Sequence, residues 1–179
     1  MLSIAQLLKL YMPISILIFS VSCSSQTAFV TQKNSKTSIS TNKSVKSTGF
    51  HNQFLNQVNI VRAKSRQCGK KLFPAVPPLS LHSDLIQAAY KHSQDMFKHQ
   101  FLGHTSSNGD TLAERMGKVK YSWQVVGENI AHNQNSIRQV IAAWLSSPGH
   151  CSNMMSADYT QTGVANVNKY WTQVYAAPK

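Results

Sequence analysis

Between Ser24 and about residue 50 the chain runs SSQTAFVTQKNSKTSISTNKSVKSTG, rich in Ser, Thr, Asn and Lys and without any apolar periodicity. Such a stretch cannot bury enough apolar surface to offset the entropy of ordering it. It therefore reads as a flexible polar tether over 23–50, and the folded part is confined to 51–178. Roughly 130 residues are enough to build one hydrophobic core. The chain is 42% hydrophobic, so that part is expected to be globular rather than disordered.

Ahead of the tether, Lys9 precedes the apolar run Met12–Val21 (MPISILIFSV), which ends among Ser20, Ser22, Ser24 and Ser25. The run is short for a bilayer span, and with its basic start and small-residue end residues 1–22 read as an export signal. Cys23 follows directly. Two readings stand for it: acylation as the new N-terminus of a lipoprotein, or ordinary signal cleavage nearby. Export places Cys68 and Cys151 in an oxidising compartment, where an even pair is expected to form a disulfide closing a loop of roughly 80 residues. Two free buried thiols are the other reading.

The formal charge of +12 comes from 18 Lys and Arg against 6 Asp and Glu. Anionic lipid and cell-wall polymers are suitable partners for such a chain. Nucleic acid is disfavoured, because no basic stripe is interleaved with aromatics. Lys33, Lys36, Lys43 and Lys46 lie in the tether, and the densest cluster is Arg62, Lys64, Arg66, Lys70 and Lys71.

From His51 the pattern turns helical, with Phe54, Leu55, Val58 and Val61 near one face and Gly69 as the stop. FPAVPPLSL is an extended connector. A second helix starts at Ser83 as N-cap and carries Leu85, Ala88, Ala89, His92 and Met96 on its stripe. GHTSSNGD is a loop, and Thr111 with Glu114 forms a capping box ahead of a short helix. Tyr121–Ile130 reads as a strand running into a turn. Ser136 caps a helix whose inner side is Ile137, Val140, Ile141, Trp144 and Leu145, stopped by Pro148 and Gly149. TGVANVN and YWTQVYA are two strands joined at Asn168–Lys169. Helices and strands mix without βαβ alternation, which gives the class α+β.

Of seven histidines, His92 reads as a satisfied core residue, His82 and His99 as solvated helix-edge residues, His51 as a helix-start residue and His132 as a loop residue. His104 and His150 differ, each lying beside glycine and small polar residues in segments read as loops, where binding groups concentrate. Glu128, one of two glutamates, is flanked by Val125, Val126, Ile130 and Ala131. A carboxylate in those surroundings needs a partner. No HExxH, phosphate loop or GxSxG turn is present. Arg115 is expected to pair with Asp110 or Glu114 on the surface.

Taken in order, HNQFLNQVNIVR, the block from PLSLHSDL through FLGHTSSNGDTLAERM, YSWQVVGENIA, VIAAWLSSPGHCSNMM and YWTQVYA resemble bacterial members of the CAP superfamily (cysteine-rich secretory proteins, antigen 5 and pathogenesis-related 1 proteins; the SCP domain). The resemblance spans about 125 residues, from His51 to Ala176. It implies a three-layer α-β-α sandwich around a central antiparallel sheet, with a cleft holding two histidines and acidic residues. Mapped residue by residue, it gives His104 and His150 as ligands for zinc or another divalent cation and Glu128 as the acidic group. Asn129, Ser147 and Ser106 are expected to line the cleft. Ser147 stands where eukaryotic relatives often carry a second acidic residue, so the constellation is incomplete. Three functions are compatible with this: a binding module for a small molecule, lipid or cell-wall component; a metal-assisted hydrolase with Glu128 as general base; and a structural or adhesion domain with a vestigial cleft.

Overall fold

The computed structural model describes residues 48–179; the export signal, Cys23 and nearly all of the tether lie outside them. The first helix, α1 (Gly49–Arg62), begins two residues earlier than its apolar stripe implies. Thr48 donates its backbone N–H to His51 Nδ1 at 3.1 Å, which satisfies one of the free donors at the helix start. Gly69 does not end α1. The helix stops at Arg62 because that side chain is needed elsewhere: fully buried, it donates to the carbonyls of Pro77, Met154, Ser156 and Tyr159 at 2.7–3.3 Å. It ties the helix end to the proline connector and to the far end of the chain. Gly69 instead turns the hairpin of β1 (Arg66–Cys68) and β2 (Lys71–Phe73) at φ +61°, a conformation open to glycine.

After β3 (Ser80–Leu81) comes α2 (Ser83–His99). Its N-cap is His82, one residue before the expected Ser83, with Nδ1 accepting from the Asp84 N–H at 3.3 Å. The Thr111–Glu114 capping box opens α3 (Leu112–Lys118), as expected. The strand β4 (Trp123–His132) runs two residues past the expected Ile130. Ser136 caps α4 (Ile137–Ser146) through the Gln139 N–H. Pro148 ends that helix and also opens another, α5 (Pro148–Met155), since proline at a first helical position forfeits no hydrogen bond. The strands β5 (Gln161–Val167) and β6 (Tyr170–Pro178) close the chain. Asn168 and Lys169, both at positive φ, form their two-residue turn.

The main sheet has the order β3-β5-β6-β4 and is antiparallel except where the two residues of β3 lie parallel to β5. Side-chain alternation sends successive residues to opposite faces. Ala165, Val174 and Ala176 pack with Leu85, Ala88 and Ala89 of α2 and Met116 of α3. Val164, Trp171 and Tyr175 pack with Phe54 and Val58 of α1, Val140 and Trp144 of α4, and Met154 of α5. The result is a three-layer α-β-α arrangement of the α+β class, with α2 and α3 on one face and α1, α4 and α5 on the other. Trp144, Trp171 and Tyr175 are core residues, as their sequence positions imply.

Two constraints fix this packing. Gly163 lets α2 lie directly on β5: a Cβ there would meet the Ile86 nitrogen at 2.1 Å and the Leu85 carbonyl carbon at 2.2 Å. Cys68 and Cys151 form a disulfide that pins the β1–β2 hairpin to α5. Gly163→Ala is expected to cost about 3 kcal/mol or more, since main chain rather than a side-chain tip must give way. Cys68→Ser/Cys151→Ser is expected to cost about 3–5 kcal/mol. Urea denaturation midpoints of the two variants check both values.

Candidate functional site

The register of β4 decides the site. Glu128 lies opposite Val174 and Asn129 opposite Gln173, so the carboxylate faces α2 and α3 while the amide faces α5. Glu128 is almost wholly buried, and both of its oxygens are engaged. Oε2 accepts from Arg115 Nη2 at 2.7 Å, and Oε1 accepts from His104 Nδ1 at 2.9 Å. Arg115 is therefore not a surface residue paired with Asp110 or Glu114. It is buried, Lys118 takes the Asp110 carboxylate, and Glu114 is occupied in the capping box. The other arm of the guanidinium donates to the carbonyls of His104 (2.7 Å) and Asp110 (3.2 Å) and to Ser106 Oγ (3.3 Å). One cation thus both neutralises the carboxylate and shapes the loop that carries His104.

The hydrogen bonds fix the ring states. A carboxylate only accepts, so His104 Nδ1 carries a proton and Nε2 is the nitrogen left without a protein partner. The His104 side chain is 58% exposed while that of Glu128 is 2% exposed, so the couple presents an oriented imidazole to solvent from a buried anchor. Behind it, His92 Nε2 donates to the Gly103 carbonyl at 2.8 Å, and Nδ1 accepts from the Ser106 hydroxyl at 3.3 Å. His92 is therefore neutral, and burial holds its pKa below the ordinary 6.5. Its Nε2 lies 3.9 Å from Glu128 Oε1, beyond hydrogen-bond reach. His92 is a satisfied core residue, as the sequence implies, and it also forms the inner wall of the site.

From the other face of the sheet, α5 brings His150, which sits in the first turn of that helix rather than in a loop. Asn129 Nδ2 donates to the His150 carbonyl and to Tyr175 Oη, both at 3.0 Å, and Asn153 Nδ2 donates to Asn129 Oδ1 (3.0 Å) and to the Glu128 carbonyl (3.1 Å). Asn129 and Asn153 thus hold α5 against β4. The His150 ring is held below the ordinary imidazole pKa first by burial and then by the positive charge of a protonated His104. The two rings therefore lie within electrostatic reach of each other at the β4 edge. Ser106 lies between His92 and Arg115. Ser147 joins α4 to α5 and makes no side-chain capping bond there.

A resident metal needs more than this set supplies. Catalytic zinc sites take three protein ligands, and among the described residues no three His, Cys, Asp or Glu side chains are grouped to hold an ion. Two imidazoles remain, and Glu128 is committed to Arg115 and His104. The residues present do not fit a resident divalent ion. Nor is Glu128 free to take a proton from water; the basic atom left open is His104 Nε2, and Glu128 positions it. Sequence reasoning missed Arg115, although a signal existed: a buried carboxylate requires a cation, and Arg115 is the one arginine between His104 and Glu128.

Glu128→Gln is expected to cost about 3–5 kcal/mol, because it leaves Arg115 buried without its charge partner. Glu128→Gln/Arg115→Met should recover most of that loss, whereas His104→Ala at the exposed end should cost under about 1 kcal/mol; chemical denaturation reads all three. His92 has a folded-state pKa below its unfolded value of 6.5, so below pH 6.5 the unfolded chain binds more protons and stability falls as the pH drops through the folded pKa. Thermal midpoints followed downward from pH 7 should decline, and less steeply in His92→Gln.

Residues 55–175 match the model of the cysteine-rich secretory protein family, CAP. The chain is 29% identical over 126 residues to the uncharacterized membrane protein YlbC of Bacillus subtilis, covering 70% of this chain and 34% of that one. It is 30% identical over 120 residues to the uncharacterized protein YkwD of the same organism, covering 66% and 44%. It thus spans between a third and a half of the length of these curated relatives. A crystal structure of an extracellular protein containing an SCP domain from Bacillus anthracis superimposes with a TM-score of 0.63 at 28% identity, over 73% of this chain and 41% of that one. With more than half of its length matched by the family model, this chain belongs to the CAP superfamily, in its bacterial form.

Proposed function

We propose that this CAP domain is a non-catalytic binding module of the bacterial cell envelope, and that it holds a small molecule, lipid or cell-wall fragment at the His104–His150 edge of β4. The observation that carries the reading is the Arg115–Glu128–His104 relay. A buried ion pair is spent on fixing one exposed imidazole whose Nε2 is left open, which is the design of a preorganised hydrogen-bonding site. Half-buried His150 supplies the second contact. Two imidazoles with no nucleophile beside them suit a ligand that offers hydroxyl or phosphate oxygens.

Export rests on the apolar run Met12–Val21 and on relatives described as a membrane protein and as an extracellular protein. Acylation of Cys23 would hold the domain at a membrane surface. No helix among the described residues is long and apolar enough to cross a membrane.

NMR of the ring nitrogens and carbons of His104 and His150 tests the reading, with glycerol phosphate, soluble wall glycopeptides and short-chain lipids added in turn. At least one class should shift both rings saturably, and His104→Ala/His150→Ala should abolish the response. If no class moves either ring, the binding reading fails. Zinc added alone is expected to give no saturable shift in the micromolar range, because a third protein ligand is lacking.

A further inference from the structure

The basic cluster Arg62–Lys71 divides when the chain folds. Arg62 is drawn inside to the carbonyls it caps, and what remains on the surface is the β1–β2 hairpin with Lys64, Arg66, Lys70 and Lys71. Among the described residues no ion pair involves any of these four. No acidic residue lies within the hairpin or the connector that follows; the next is Asp84. Arg66 keeps a buried Nε without a hydrogen-bond acceptor. Lys71 lies over the Phe73 ring, its nitrogen 4.6 Å from the centroid, on the Cys68 side of the hairpin. Leu72, next in the strand, is 65% exposed, the most exposed large apolar residue of the described chain. Pairing with Gln67 places Leu72 on the hairpin face turned away from the core.

We propose that this hairpin is a docking surface for an anionic phospholipid bilayer, with Leu72 entering it from the outward face and the flexible side chains of Lys64, Lys70 and Lys71 meeting the headgroups around the hairpin edge. Charge complementarity alone fits any polyanion. The exposed Leu72 selects a bilayer, because a soluble polymer gives that side chain nothing apolar to enter, whereas a cation-flanked apolar tip suits the headgroup–acyl boundary. An acylated Cys23, fewer than thirty residues ahead of α1, would keep a bilayer near; to that extent the inference rests on the envelope reading.

Docking there would also orient the candidate site. Cys68 is bonded to Cys151, the residue after His150, and Gly69 packs so closely on Pro148 that a Cβ would lie 2.9 Å from the proline Cβ. The hairpin tip and the first turn of α5 therefore move as one body. A hairpin resting on headgroups would hold His150, and with it the His104 edge, at a set distance from the membrane.

The test uses the full chain with vesicles of phosphatidylcholine alone or with phosphatidylglycerol added, read by co-sedimentation and by deuterium exchange of residues 66–73. Any contribution of the N-terminal apolar run to binding is common to all variants, so differences between variants on the anionic vesicles are compared. Lys70→Gln/Lys71→Gln should partition roughly 30-fold more weakly, each lysine near such a surface being worth a factor of about five. Leu72→Ser should lose about tenfold. All three positions are exposed, and unchanged denaturation midpoints confirm that the variants fold. Wild-type hairpin amides should gain protection only with anionic vesicles. Equal partitioning of variants and wild type, or exchange in 66–73 indifferent to vesicles, overturns the proposal. So does a loss confined to the lysine variants with Leu72→Ser unaffected, which would assign the surface to soluble polyanions. None of these outcomes touches the cleft reading, whose imidazole shifts are measured without vesicles.

Discussion

A carboxylate with 2% of its side chain exposed is tolerable only if its charge is met where it lies. Arg115 meets it, and most of the site follows from that pairing. The guanidinium has five donors in a rigid fork. With one nitrogen on Glu128, the other is left for the carbonyls of His104 and Asp110 and for Ser106. The loop between α2 and α3 is thereby closed around a cation. Ser106, held by that cation, donates a hydrogen bond to His92, and His92 in turn ties Gly103. The exposed imidazole is the outermost member of this chain of bonds, and its orientation is inherited from the buried ones.

The edge position of β4 is the second constraint. An edge strand leaves alternate main-chain carbonyls unpaired and open to unwanted strand addition. Here they are taken by side chains: Asn153 Nδ2 bonds the carbonyl of Glu128 at 3.1 Å and Trp144 Nε1 that of Ile130 at 3.0 Å. The groups that protect the edge come from α4 and α5, so edge protection and delivery of His150 are one event. This explains how two histidines anchored on different faces of the sheet come within electrostatic reach of each other: an edge strand leaves α5 room to reach its rim.

Much of this was legible in the sequence, and the rest failed for definable reasons. The Thr111–Glu114 box, the Ser136 cap and the Asn168–Lys169 turn depend on neighbours within four residues, and all three are found as expected. The Cys68–Cys151 disulfide also forms, though its partners lie far apart in sequence. Gly69 and Pro148 were correctly marked as punctuation but assigned the wrong task. Gly69 turns a hairpin because α1 has already ended at Arg62, seven residues before it, and Pro148 starts a helix as readily as it ends one. Arg115 was hardest to place. Next to Asp110 and Glu114 in sequence it looks like a surface residue, and only the arrival of Glu128 from β4 makes its burial favourable. The buried carboxylate reads from the sequence as needing a partner, but nothing local distinguishes an imidazole from the permanent cation that burial requires.

That last distinction bears on what a CAP cleft can do in this chain. With imidazoles as its only partners, Glu128 would keep an oxygen open as a base or a metal ligand. With Arg115 beside it, both oxygens are engaged. Its role is reduced to orientation, and the variable element is the pair of rings above it, where protonation of His104 acts against protonation of His150. The two rings offer nitrogen atoms that donate or accept hydrogen bonds. The Arg115–Glu128 pair is what fixes the direction in which the outer ring presents them.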